Sequence, residues 1–245
     1  VPAATERAVL APSPGARTGA WRGGWWRGAL RVRSPHHNAR PGGEPVDLVV
    51  VHAISLPPGD FGGGWITDLF LGRLDRDAHP AFAPLEGLRV SAHFLIRRDG
   101  QVLQYVATDR RAWHAGVSHW RGRDNCNDRS IGIELEGLPG LGFEPAQYAV
   151  LARLLRALQR HHPIRDVVGH EHVAPGRKAD PGPGFDWPHL RRLLRHIVQQ
   201  APLWVMGDPP PKPGRGHAWT LPRPPDARRR PMRLTGWKYR PTHYR

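Results

Sequence analysis

Apolar positions along the chain follow two periods. DLVVVH (Asp47 to His52) is an apolar run too short for a helix. HFLIRRDGQVLQYV (His93 to Val106) reads as two strands around an Asp-Gly turn, and SIGIEL (Ser130 to Leu135) as a further strand. Tyr148, Leu151, Leu154, Leu155 and Leu158 recur at helical spacing, as do Trp187, Leu190, Leu193, Leu194 and Ile197. Asp186 suits the N-cap of that second helix, and Pro188 is tolerated in its first turn. Strands and helices interleave without an internal repeat. The prediction is an α/β fold, a central mixed β-sheet of five or six strands flanked by α-helices.

Composition sets the limits of that domain. The chain has 245 residues and a formal charge of +15. From Ala201 to Arg245, ten Lys/Arg against two Asp leave +8, and ten of the 27 prolines fall in the same stretch. Such a segment is expected to be extended or disordered, as is the stretch 1–20. The folded domain is therefore placed at 21–200. One cysteine, Cys126, excludes an intramolecular disulfide, and it reads as a structural thiol. No stretch has the pattern of a signal peptide, and no apolar run approaches the roughly 20 residues that span a bilayer. A cytoplasmic protein with no membrane partner is expected.

The stretch VVGHEHVAPGRKADPGPGFDW (Val167 to Trp187) crowds histidines, acids and an Arg-Lys pair among prolines and glycines that exclude a helix at its centre. A stiff irregular loop of this kind is held by a metal, by a salt-bridge network, or not at all, as solvated surface. His170 ends a short apolar run, Asp180 follows ten residues later, and His52 ends the strand VVVH. Two histidines and a carboxylate with an open fourth position suit a catalytic zinc site, although fifteen histidines make chance combinations easy. His172 rivals His170. Only one of the two is expected to reach a metal.

The segments VVVHAISLPPGDFGG, LRVSAHFLIRRDGQVLQYV, RAWHAGVS, CNDRSIGIELEG and GHEHVAPGRKADPGPGFDW resemble, in this order, those of the AmpD-type 1,6-anhydro-N-acetylmuramyl-L-alanine amidases. The similarity covers about 31–200 and leaves both extensions unexplained. It implies the fold shared with peptidoglycan recognition proteins, one Zn²⁺ per chain, and hydrolysis of the bond between the lactyl group of muramic acid and L-alanine during wall recycling. The implied metal ligands are His52, His170 and Asp180, with His172 given no metal role. Lys178 is implied as the partner of the developing oxyanion and Glu134 as the proton shuttle between water and the leaving amine. Two residues on, Glu136 reads as a structural partner of a basic residue.

Other positions in the matching segments are candidates for holding substrate. Trp113 can pack against a sugar face and His114 can bond a hydroxyl, although both also suit a core. Arg89 and Asn127 can hold the carboxylates of an anhydro-muropeptide, with an ordinary salt bridge as the competing reading. One departure from the pattern is Ala53, which follows the first ligand where several relatives carry Asn. The alternative function is a binding module. It is either a catalytically silent peptidoglycan-fragment binder or a nucleic-acid binder that uses the basic tail, whose Trp237, Tyr239 and Tyr244 lie among cations. No specific nucleic-acid binding is expected, because charge alone supports only non-specific association.

Overall fold

The computed structural model describes residues 20–195 and 204–207. The rest of the two extensions, with the expectations placed on them, lies outside the described residues. A seven-stranded sheet forms the centre. Its strands in chain order are β1 (Leu30–Arg31), β2 (Leu48–Ile54), β3 (Phe94–Ile96), β4 (Val102–Gln104), β5 (Ser130–Glu136), β6 (Asp166–Gly169) and β7 (Trp204–Val205). They lie in the order β7-β6-β2-β5-β3-β4-β1. The first five in that order run parallel, and the Asp-Gly turn makes β4 antiparallel to β3. The predicted mixed α/β sheet is thus observed, with seven strands rather than five or six. The two edge strands, of two residues each, are too short to show a period.

β2 and β5 are the central strands, and both are buried on both faces along most of their length. That accounts for unbroken apolar runs in place of alternation. One face carries Val49, Val51, Ile131, Ile133 and Leu135. Against it pack two helices, α2 (Pro145–His161) through Leu151, Leu154, Leu155 and Leu158, and α4 (Trp187–Arg195) through Leu190 and Leu194. Asp186 caps α4, its Oδ1 accepting the His189 N–H at 2.8 Å. Buried Gln147 ties α2 to the sheet, donating to the carbonyls of Ile96 and Glu136. The helix α1 (Trp65–Leu71) covers Leu95, Leu103 and Tyr105 on the other side.

That other side is where polar groups gather. Alternation along the strands sends Leu48, Val50 and His52 of β2, and Ser130, Gly132, Glu134 and Glu136 of β5, away from α2. The apolar half of this set packs with Val168, Trp120 and Cys126, and burial raises the Cys126 thiol, as suits an inert structural cysteine.

The expected boundary at Gln200 needs correction. β7 pairs with β6 beyond that point, Val205 is buried, and Trp204 packs on Trp120 at 5.8 Å. The Pro-rich segment therefore begins after an edge strand that belongs to the sheet. Among the described residues, no helix is long and apolar enough to cross a membrane.

Candidate metal centre

Strand register assembles the site. In the parallel pairing of β2 and β5, His52 lies opposite Glu134, and on the other flank of β2, Gly169 of β6 pairs with Val51. His170, one residue further, is level with His52. Three neighbouring strands thus deliver Glu134, His52 and His170 to one rim, at the carboxyl ends of parallel strands where open α/β sheets place their ligands.

The loop after β6 then returns a carboxylate to this rim. It opens with one helical turn, α3 (His170–Val173), not with the extended chain expected. Strand alternation would have set these two positions, two residues apart, on one face, so it does not choose between them. What separates them is hydrogen bonding: His172 turns back, its Nδ1 accepting the Gly169 N–H at 2.8 Å. Past α3 the chain reverses through Pro175 and Gly176, the latter in the left-handed region at φ 77°, and the Ala174 carbonyl accepts from Lys178 N–H at 3.0 Å. The Glu171 N–H donates to the Asp180 carbonyl at 2.8 Å, which brings Asp180 beside His170. Arg177 anchors the loop from outside by donating to the carbonyls of Ala115 and Val117.

The result is a tight triangle. His52 Nδ1 lies 3.0 Å from His170 Nδ1 and 3.1 Å from Asp180 Oδ2, and His170 Nδ1 lies 3.2 Å from the same oxygen. Among the described residues, these three form the one group able to hold a metal ion. Two ring nitrogens and a carboxylate oxygen crowded together, with both histidines buried, need a shared proton or a cation between them. Four-coordinate zinc, with ligands at about 2.0–2.1 Å, sets its ligand atoms roughly 3.3 Å apart. The observed spacings and the N,N,O donor set fit such an ion.

Electrostatics agree with that reading. Burial, then the His170 charge, push His52 down to about 4, so its ring is neutral and able to donate a lone pair. Burial works to raise Asp180, but hydrogen bonds to His170 and His52 outweigh it and hold the carboxyl well below the usual range. Glu134 goes the other way. Burial first, then the charge of Asp180, raise its carboxyl well above the ordinary value, while Lys178 opposes the rise. Glu134 Oε2 is buried with no hydrogen-bond partner. Lys178, half-buried, acts electrostatically on both Glu134 and His52.

The remaining expected residues are distributed as follows. Glu136 faces the same side as Glu134 but is structural: it accepts from the N–H groups of Gly62 and Arg98 and pairs with Arg97. Trp113 is half-buried, its Nε1 donating to Asn38 Oδ1 and its ring stacked near His36. Arg89 is exposed and makes no hydrogen bond or ion pair recorded among the described residues. His114 and Asn127 are both buried, and both His114 ring nitrogens and Asn127 Oδ1 are engaged within the protein. Ala53 is partly buried and packs on the apolar core behind β2. A cleft of about 330 Å³ elsewhere, lined by Trp25, Arg33, His37 and Arg110 among others, includes no member of the triangle. The triangle lies at the strand ends and not in that cleft.

Residues 42–183 match the N-acetylmuramoyl-L-alanine amidase family. The chain belongs to this family. It is 58% identical over 173 residues to the 1,6-anhydro-N-acetylmuramyl-L-alanine amidase AmpD of Salmonella typhimurium strain SL1344, covering 70% of this chain and 92% of that protein. To the AmpD of Escherichia coli K12 it is 57% identical over 173 residues, again 70% of this chain and 94% of the relative. A crystal structure of a selenomethionine AmpD derivative superposes with a TM-score of 0.69 at 55% identity, covering 71% of this chain and 98% of that one. The AmpD-type resemblance and the amidase fold read from the sequence are borne out.

Three features around the triangle carry no obvious signal in the sequence. They are Ser130, the Ala115 carbonyl and Arg177. Gly132 did leave one, since a glycine inside a strand of β-branched residues marks a close approach: a Cβ there would lie 2.4 Å from the His114 ring.

Proposed function

We propose that this amidase binds one zinc ion through His52 Nδ1, His170 Nδ1 and Asp180 Oδ2. With it, the protein hydrolyses the amide between the lactyl group of 1,6-anhydro-N-acetylmuramic acid and L-alanine in recycled wall fragments. The observation that carries the proposal is the convergence of that triangle beside a buried, unpartnered Glu134 carboxylate on the neighbouring strand. The preference for the anhydro sugar rests on the similarity to AmpD proteins, which are 1,6-anhydro-N-acetylmuramyl-L-alanine amidases.

Zinc, when bound, supplies Lewis-acid polarisation and a cation for developing negative charge. The protein's own groups do the rest. Asp180 offsets part of the ion's charge, and the neutral histidine rings fix its position. Glu134 takes a proton from the attacking water as the new C–O bond forms, and passes it to the alanine nitrogen as the C–N bond breaks. A carboxyl group with a raised pKa suits both halves of that exchange, because it is a stronger base than an ordinary carboxylate and can still hand the proton on. Lys178 stabilises the oxyanion, a contribution of the kind whose loss costs about 2.7–4 kcal/mol. Exposed Arg89 is proposed to hold a substrate carboxylate and Trp113 a sugar face. The lone buried cysteine accords with a cytoplasmic location, which is part of the same proposal.

The test is metal content against activity. Purified protein should hold about one zinc per chain, lose amidase activity on chelation and regain it with added zinc. Undiminished turnover in metal-free protein would refute the proposal.

A further inference from the structure

We infer that His114 is a positioning residue of the metal centre, which fixes the ring and tautomer of His52 from behind, and that it is not a substrate contact. This rests on the zinc reading above. Both candidate ligands present Nδ1 to the triangle, which requires the ring proton of each to sit on Nε2. For His170 this is settled by its partner: Nε2 lies 3.1 Å from the Ala115 carbonyl, which can only accept. For His52 the partner is His114, whose Nδ1 lies 3.0 Å from His52 Nε2 with the rings near perpendicular at 86°. Accepting there obliges His114 to carry its own proton on Nε2, and that atom lies 3.2 Å from Ser130 Oγ, a hydroxyl able to accept. The chain of donors runs one way, from His52 through His114 to Ser130.

Adjacent residues, His114 and Ala115, therefore back both histidines. The protein fixes that dipeptide on several sides. Asn127 Oδ1 accepts the N–H of His114 at 3.1 Å and that of Ala115 at 2.8 Å. Arg177, from the loop that carries Asp180, donates to the Ala115 carbonyl at 2.6 Å. On the sheet side, Gly132 leaves the space that the His114 ring occupies. With both of its ring nitrogens committed to protein, His114 has no polar atom left for a muropeptide. Partners that orient a metal-bound histidine typically account for 10–100-fold in metal affinity.

Two substitutions separate positioning from substrate binding. His114→Leu fills the site without an acceptor. His114→Asn restores one, since Asn Oδ1 is as many bonds from the backbone as His Nδ1. Zinc affinity is measured by competition with a chromogenic chelator, and KM and kcat are measured at saturating zinc. Expected are zinc affinity weakened roughly 10–100-fold in His114→Leu, affinity within about threefold of wild type in His114→Asn, and an unchanged KM in both. In the ¹⁵N NMR spectrum of the zinc form, His52 should carry its proton on Nε2. Wild-type zinc affinity in His114→Leu, with or without a higher KM, would overturn the inference. So would equal losses in the two variants, or a proton on His52 Nδ1. If His114→Leu does not fold, the affinity of His114→Asn and the wild-type spectrum decide. If the wild-type protein itself binds no zinc, the proposed function fails and this inference with it.

Discussion

Glu134→Gln separates proton transfer from every other task of the site. The side chain is buried at 8% exposure, and its Oε2 has no hydrogen-bond partner, so replacing that oxygen with an amide nitrogen breaks no bond in the protein. Glu134 is not part of the triangle proposed to hold the metal, and the fold and metal content should survive, with metal-free stability within about 1 kcal/mol of wild type. What is lost is a positioned acid and base, worth about 10²–10⁴ in rate, or about 2.7–5.5 kcal/mol in the barrier. The loss should appear in kcat with KM little changed, because the interaction acts in the transition state. The wild-type enzyme should also lose kcat/KM as pH falls through the raised Glu134 pKa, since the reaction starts from the carboxylate. A cation bound at the triangle lowers that pKa relative to the metal-free protein. Single-turnover rates, zinc analysis and a thermal melt on the two proteins form the assay. Full zinc with a rate within about threefold of wild type would refute the role of Glu134 in proton transfer. Glu136 could not replace it, since its oxygens are held by Gly62, Arg97 and Arg98.

Further predictions concern metal, boundary and pH. His170→Ala and Asp180→Ala should lose zinc by more than the roughly 100-fold expected of an outer partner, whereas His172→Ala should retain it; equal losses in equilibrium dialysis would mean the wrong histidine. Truncation after Gly207 should leave turnover on a soluble muropeptide within a few-fold. Truncation after Gln200 removes β7 with buried Val205 and half-buried Trp204, a cost of about 2–4 kcal/mol, and should lower Tm by roughly 4–16 °C. Identical melts for the two truncations would show that β7 adds nothing. Burial, then His161 and Arg40, push His162 down to about 4, so the unfolded chain binds its proton first as pH falls. The stability this group contributes is present above about 6.5 and lost between 6.5 and about 4. His162→Gln should flatten urea midpoints across that window, and parallel curves for variant and wild type would count against it.

Long, regular features were legible in the sequence. The stripe from Tyr148 to Leu158 and the run from Leu48 to Val51 announce α2 and β2, because each buries enough apolar surface to impose a period. β1 and β7 show none at two residues apiece, and the helical turn at His170 was hidden by the prolines and glycines that follow it. The triangle itself was out of reach of spacing alone. Fifteen histidines allow many trios, and what selects this one is register: His52 faces Glu134 only because β2 and β5 pair as they do. The family resemblance supplied that pairing implicitly. It did not supply the layer behind the ligands, where the deciding groups include a carbonyl at Ala115 and a missing side chain at Gly132. Backbone atoms of that kind leave little trace in one sequence.

The central claim concerns one bond, one sugar and one metal, and product analysis addresses all of them at once. The protein would be incubated with 1,6-anhydro-muropeptide and with the ordinary muropeptide, each with and without chelator, and the products weighed by mass spectrometry. The account predicts an intact anhydro-disaccharide or anhydro-muramic acid with a free lactyl carboxylate, together with a peptide that begins at L-alanine, formed faster from the anhydro substrate and abolished by chelator. Cleavage at another bond, or the same products at full rate in chelator, would contradict it.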